Sequence, residues 1–590
     1  MAIDIENRHQ AGRGALVMAA VLALALTVVP AVPWLDVIRA DDATAPDAMQ
    51  LNSDMRIRIR RGRDIEIEIR AAKGDSYAAV ARRVAGGLSA TEAISAWNGD
   101  RPVEIDDWIR VPLALVTDDY RALVLVSLFP GDRREGEDWI HIARSGPLPT
   151  YDAGLWQVAE WFTGDGDAFD ELMRTNSLNS PELRSGQAIR VPGELLHASF
   201  QGAIVSADGS LEYGADEKGP YAAYRLKRKE ALYSAVVVRY TGRTKASDVV
   251  TTAEQIKERN GIRDLRDIPV GFKIKIPFDL LEPEFLPEGH PLRLEADAAR
   301  QEVEAEMARL PTQASRQGLE GVVVILDPGH GGRDLGTMNN GIWEHDYVYD
   351  VTCRLKQRIE SQTAAKVYLT LLDEQTGCTP SRTDKLKANH QGTIQTHPPF
   401  LAKENGEAKI GVNLRWYLAN AYYRKEVSAG TDPNKIVFLS IHADARHASL
   451  AGVMVYVPGA AYIGDTHGFQ SRTYSKYAEV KEKKFVRVTK KQKVRSEAVS
   501  RKFADEIVDA FRAQKLPIQP YQPVRNRIIR GRSIYVPAVL RGNVVPNKVL
   551  VEMVNISNHQ DAALLARAKD RNRLAEAIYQ ALLGYYGSAR

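Results

Sequence analysis

Two histidines and two glutamates, spread over more than two hundred residues, each stand where an apolar run ends or a helix should begin. His330 lies in ILDPGHGGRDLG (Ile325 to Gly336), at the end of the run VVVIL. Glu344 opens a predicted helix, His442 follows KIVFLSI, and Glu552 ends KVLVE. Two histidines and one carboxylate are the ligand set of a catalytic zinc site, which keeps a further position for water. Bound zinc brings the pKa of that water to about 7 and polarises a carbonyl. A second carboxylate must then take the water's proton and return it to the leaving group, and Glu552 is the candidate. Asp327 is the candidate for orienting His330 from behind, although before Pro328 it equally shapes the turn. His345 and His447 are competing ligand choices. The four glycines of the motif also allow a phosphate cradle, but no Lys-Ser or Lys-Thr pair follows them as a P-loop requires.

These residues need a scaffold that brings distant strand ends together. Uninterrupted Val, Ile and Leu in Val322 to Leu326, Lys435 to Ile441 and Lys548 to Glu552 predicts buried parallel strands, with Ala365 to Leu372 as a fourth. Helices are predicted between them over Glu344 to Glu360, Leu414 to Lys425, Ser496 to Gln514 and Ala562 to Tyr585. The class is α/β, a doubly wound, mostly parallel sheet. In such sheets the carboxyl ends of the strands share one edge, where His330, Glu344, His442 and Glu552 can converge.

A chain of 590 residues exceeds one core and implies several domains. A net charge of +4 is too mild to imply nucleic-acid binding, and none is expected. The two cysteines, Cys353 and Cys378, exclude a disulfide scaffold and a thiolate cluster and leave one optional disulfide. Residues Ala15 to Leu35 carry no charge and are about as long as a bilayer-spanning helix. Arg8 and Arg13 before them and aspartates after them predict a cytoplasmic N-terminus and export of the remainder, by a cleaved signal or a retained anchor. Met55 to Arg70 alternates isoleucine with charge, which predicts a hairpin with one buried face, the arginine strand facing the glutamate strand and the charged side solvated. One order then recurs three times, as turn, short helix, second helix and a closing strand, in Gly74 to Pro112, Leu155 to Pro192 and Leu232 to Pro277. Glu295 to Gly321 predicts a polar helix and connector.

The repeated unit, clearest where Gly74-Asp75-Ser76 precedes Asn98-Gly99 and Ile109-Arg110-Val111-Pro112, resembles the LysM module, a small βααβ domain that binds N-acetylglucosamine-containing glycans. The second and third copies lack a clear Gly-Asp-Ser turn. The C-terminal part resembles the zinc-dependent N-acetylmuramoyl-L-alanine amidases, through DPGHGGRDLG with Gly341 and Glu344, NLRWYLAN, FLSIHADA and Val536 to Leu565. The resemblance implies one zinc ion on His330, Glu344 and His442, Glu552 as the catalytic carboxylate, and hydrolysis of the amide between N-acetylmuramic acid and L-alanine. It also sets Arg541 where it could meet a substrate carboxylate. Expected partners are peptidoglycan glycan strands and stem peptides, in the periplasm of a bacterial envelope. Met553-Val554-Asn555 replaces the family's usual Gly-Phe after the glutamate. Two insertions depart further, at about 375–409 and 462–495. For the second, three readings stand: an inhibitory cover displaced by a protein activator, a basic contact for anionic polymers or lipid headgroups, and a solvated hairpin. The expected division is a cytoplasmic stretch 1–14, a signal or anchor 15–35, a hairpin with unit one 55–113, unit two 138–193, unit three 222–278, a helical linker 290–320 and the amidase domain 321–590.

Overall fold

The computed structural model describes residues 48–60, 64–143, 154–201, 204–310 and 319–587. The signal or anchor segment lies outside them. Among the described residues no helix is long and apolar enough to cross a membrane.

All three repeat units fold as βααβ, the first and last strands of each pairing antiparallel: Asp64–Arg70 with Trp108–Pro112, Asp138–Ile142 with Ala188–Val191, and Gly219–Arg225 with Lys273–Pro277. One residue closes each unit in the same way. Asn98, at the end of the second helix, donates to Ile94 O (2.7 Å) and Arg110 O (2.8 Å) and accepts from Arg110 N (3.0 Å). Asn176 makes the equivalent bonds to Leu172 and Arg190, and Asn260 to Ile256 and Lys275. The asparagine amide thus ties the last turn of the helix to the middle of the closing strand, whose outward N–H and C=O it pairs. The periodicity read from the sequence therefore has a shared physical cause in the second and third copies, despite their missing Gly-Asp-Ser turns.

The hairpin register pairs Arg56 with Glu68 and Arg58 with Glu66, as expected. Its charged side is not solvated, which corrects the sequence reading. Glu66 and Glu68 are 0% and 3% exposed, lying beneath Arg56, Arg58 and Arg60 and, for Glu66, Trp97 Nε1 at 3.1 Å. The connector is also firmer than a solvated linker. Helix Pro291–Arg309 packs Val303 against Val494 and Ala498, with Arg495 to Glu306 at 3.2 Å and Lys490 to Glu302 at 2.8 Å.

The C-terminal domain is built on a sheet of six strands in the order 366–369, 323–328, 436–442, 547–552, 454–456, 524–525. The first four are parallel, as their apolar runs predict, and Met454–Tyr456 runs antiparallel beside Asn547–Glu552. Helices Glu344–Gln362, Lys490–Ala513 and Ala568–Gly587 cover one face, burying Val324, Leu326, Val437 and Leu439. Helix Ala408–Ser428 covers the other, with Val323, Ile325 and Phe438 beneath it. The first insertion is tied down by the disulfide Cys353–Cys378. It is held further by the buried Asp350, which accepts from Ser381 N (2.6 Å), Arg354 Nε (2.7 Å) and Arg571 Nε (2.6 Å).

Replacing Asn260 by alanine leaves the amide and the carbonyl of Lys275 without their side-chain partner, and should cost about 2 to 4 kcal/mol of that unit's stability. Urea unfolding followed by amide exchange of 246–277 measures it, and a loss below about 1 kcal/mol would contradict the clamp.

Candidate metal centre

His330 follows the strand Val323–Pro328 with a backbone φ of +65°, a left-handed conformation uncommon for a residue with a side chain. Two of the motif's glycines have a steric reason. A Cβ on Gly329 would come 2.4 Å from the His442 ring, and one on Gly336, at φ +70°, would come 2.6 Å from Glu344 Oε2 and 2.7 Å from His330 Cδ2. The glycines let backbone pass between side chains that converge, and no phosphate cradle is needed to account for them.

Those side chains meet at one oxygen. Glu344, first residue of its helix and 3% exposed, sets Oε1 3.1 Å from His330 Nε2 and 3.1 Å from His442 Nδ1. The donor atoms of the three residues all lie within 4.8 Å of one another. Glu344 Oε2 is fixed by Thr337 N at 3.0 Å. His442 ends its strand in register with Glu552 on the neighbouring parallel strand, so the second carboxylate arrives beside the cluster through sheet pairing. Two imidazole nitrogens and a carboxylate oxygen this close fit a single divalent ion, as two-histidine, one-carboxylate sites do.

The electrostatics fit the same reading. Burial pushes the Glu344 carboxyl up, but His330 and His442 beside it hold it well below the usual carboxylate range. Burial works against a charge on His330, yet Glu344 and Asp334 raise its pKa well above that of a free imidazole. Glu552 goes the other way: burial, then the charges of Asp444 and Glu344, push it well above the usual range, with Arg446 opposing. Its Oε2 is buried and has no hydrogen-bond partner among the described residues.

The residue behind His330 is Asp334 and not Asp327, which corrects the sequence reading. Asp334 Oδ1 lies 2.9 Å from His330 Nδ1, leaving Nε2 to face Glu344. Asp327, 1% exposed, accepts from Arg415 Nη1 (2.5 Å), Ser440 Oγ (2.7 Å) and Thr370 Oγ1. Arg415 in turn donates to Pro328 O (2.6 Å) and His330 O. Asp327 therefore fixes the backbone of the turn through Arg415.

His345 does not join the cluster; its Nδ1 faces Gly329 O at 3.0 Å, and burial pushes its pKa down to about 4. His447 faces Tyr233 of the third unit. Arg541 is exposed, and its charge is felt by His467 in the second insertion. Among the described residues no hydrogen bond or ion pair links it to the cluster; the arginine that does bond there is Arg415, on His330 O. The second insertion packs Tyr474, Tyr477, Val480 and Val486 against Trp416, Tyr417 and Leu418. It therefore lies along helix Ala408–Ser428, with no hydrogen bond or ion pair to His330, Glu344, His442 or Glu552 among the described residues. Asp334, Arg415, Asp444 and Arg446 carry no role in the sequence reading. Asp334 stands four residues after His330, and Asp444 and Arg446 two and four after His442, so charge close behind each histidine was the available signal; Arg415 had none.

The model of the N-acetylmuramoyl-L-alanine amidase family matches residues 324–583, and that of the LysM domain matches 155–192 and 246–277. The first unit, the clearest copy by eye, lies outside both LysM matches. An uncharacterized cell wall amidase of Bacillus anthracis is 24% identical over 299 residues, which are 51% of this chain and 42% of that protein. The germination-specific N-acetylmuramoyl-L-alanine amidase of Bacillus subtilis (strain 168) is 22% identical over 268 residues, 45% of this chain and 81% of that one. The chain thus spans about two fifths of the first relative's length and four fifths of the second's. Among solved structures, the amidase Ami1 of Mycobacterium smegmatis is 18% identical with a TM-score of 0.29, covering 46% of this chain and 99% of that chain. The CwlD amidase of Clostridioides difficile in complex with the GerS lipoprotein is 20% identical with a TM-score of 0.27, covering 45% and 98%. Residues 324–583 are an N-acetylmuramoyl-L-alanine amidase domain, and the chain carries it behind LysM domains.

Proposed function

We propose that this chain is a zinc-dependent peptidoglycan hydrolase that cleaves the amide between the lactyl group of N-acetylmuramic acid and L-alanine of the stem peptide. One observation carries the reading: His330 Nε2 and His442 Nδ1 both stand 3.1 Å from Glu344 Oε1, while Glu552 pairs in register with His442. Zinc on that donor set would supply an acidified water and a Lewis acid for the amide carbonyl.

The remaining work falls to the chain's own residues. Glu552 accepts the water's proton and delivers it to the departing amide nitrogen as the C–N bond breaks, so that the products are a free lactyl carboxylate and an L-alanine amine. Burial, with the charges of Asp444 and Glu344, favours the protonated form of Glu552, and the charge of Arg446 opposes it. Asp334 fixes the tautomer and orientation of His330. Asp327 and Arg415 hold the turn that carries it. The repeat units, two of which match the LysM domain, would grip glycan strands, and such a substrate implies an extracytoplasmic protein. A partner that displaces the second insertion has no part in this reading.

Incubating the full chain, zinc-loaded, with sacculi should release stem peptides whose amino terminus is L-alanine, identified by mass spectrometry. Glu552→Gln should lower the rate by about a thousandfold while still binding one zinc by elemental analysis. Release of fragments cut within the stem peptide would replace the amidase reading with a peptidase.

Asp334→Ala should weaken zinc binding by about 10 to 100-fold in chelator competition with little change in melting temperature. Asp327→Ala, which strands the buried Arg415, should instead cost about 3 to 5 kcal/mol of stability. An equal effect of both on zinc affinity alone would contradict the assigned roles.

Because His330 holds its proton above the ordinary histidine range when no cation is present, zinc uptake at pH 7 should release at least one proton per ion. Calorimetry in buffers of different ionisation enthalpy reads this number, and a value near zero would contradict the protonated imidazole. The same shift stabilises the metal-free fold at low pH. It is fully present below the unfolded histidine pKa, about 6.5, and is lost as pH rises through the raised folded value.

A further inference from the structure

The segment Ala443–Gly452 leaves the site directly after His442: Ala443 N donates to Glu344 Oε1 at 3.2 Å, and His442 O and Asp444 O accept from Met553 N (3.0 Å) and Ile556 N (2.9 Å), in the stretch that follows Glu552. From the amidase side it is held by Asn555, which donates to His447 O (2.9 Å) and Leu450 O (2.8 Å) and accepts from Arg446 N (2.9 Å). Asp561 accepts from Gly452 N at 2.7 Å, and Asn558 donates to Ala448 O at 2.9 Å.

The other side of the segment belongs to the third repeat unit. His447 N donates to Thr244 O at 3.1 Å, and the Tyr233 ring lies against the His447 imidazole with centroids 4.6 Å apart. Leu450, 1% exposed, is part of the hydrophobic core of the upstream units and not of the amidase core. A second set of contacts fixes the same unit, together with the stretch just after it that Glu282 N ties to Tyr240 O (2.9 Å), to the strand edge beyond Met454, the residue opposite Glu552. Arg525 Nη1 donates to Gly242 O (3.1 Å), and Arg527 Nη2 meets Glu282 Oε1 and Glu284 Oε2, each at 3.0 Å. Gln522 Nε2 donates to Glu284 Oε1 at 2.8 Å. Glu282 is buried and its partner Arg527 largely so, and removing the arginine strands the carboxylate. The unit therefore grips the chain on both sides of the stretch that passes Glu552.

We propose that the third repeat unit is a positioning element of the amidase site: by holding Ala443–Gly452 it fixes the chain that leaves His442 and binds the backbone just after Glu552, so turnover depends on its docking even for a substrate too small to touch it. This rests on the amidase reading above. A glycan-gripping role alone would raise affinity for polymer and leave hydrolysis of a monosaccharide muropeptide untouched, which separates the two.

The test uses the full zinc-loaded chain with N-acetylmuramyl tripeptide as substrate. The double variant Tyr233→Ala, Arg527→Ala loosens the contact on both sides and leaves the cluster residues in place. Its kcat should fall at least tenfold with KM changed less than about twofold. Hydrogen exchange of 443–452 should accelerate while that of 323–328 does not. Tyr233→Phe alone, which keeps the ring, should retain the wild-type kcat. Faster exchange of 443–452 with unchanged kcat would overturn the proposal, as would unchanged exchange. If the wild-type chain does not hydrolyse the muropeptide, the amidase reading fails; exchange in the double variant still decides whether the unit holds the segment.

Discussion

One carboxylate oxygen, Oε1 of Glu344, organises the C-terminal half of the molecule. It faces His330 Nε2 and His442 Nδ1 and also accepts from Ala443 N at 3.2 Å. Three separate pieces of chain must end within hydrogen-bond reach of it: a strand with its glycine turn, a helix start and a second strand. A parallel sheet does this at low cost, because its strands all finish at one edge. The two structural arginine–aspartate systems, Asp327 with Arg415 and Asp350 with Arg354 and Arg571, brace that edge and the insertion beside it.

That His330, Glu344 and His442 come together was legible in the sequence because the two histidines follow unbroken apolar runs and the glutamate opens a helix, and such runs have few interpretations. The same logic misled at Asp327. It ends the run as well as His330 does, but the chain beyond His330 folds back on itself, with Gly331 N donating to Asp334 O at 2.7 Å, and so returns Asp334 to the imidazole. A backbone turn at positive φ leaves no periodic trace. The strands Met454–Tyr456 and Val524–Arg525 were missed for a related reason: they are too short for periodicity to register.

Burial by another element was the other thing the sequence could not reveal. The alternation in Met55 to Arg70 predicted its pairing correctly but not that Trp97, from a helix some thirty residues on, would close over Glu66. The contacts of His447 with Tyr233 and Thr244 are of the same kind, joining residues more than two hundred positions apart. Repeats that look like beads on a string in sequence are here packed into one core with each other and with Leu450.

The asparagine clamps of the three units span only 12, 14 and 15 residues. Closing loops that short costs little entropy, whereas the strand before His330, the strand of His442 and the strand of Glu552 pair across gaps of about 110 residues. The contact order of the chain therefore rises steeply from its N-terminal to its C-terminal half. Each unit can reach its native form as soon as its own closing strand is available, and the surface that receives Leu450 exists before the amidase sheet is complete. In a chain that folds from its N-terminus, the upstream half becomes the template on which the loop after His442 is laid down.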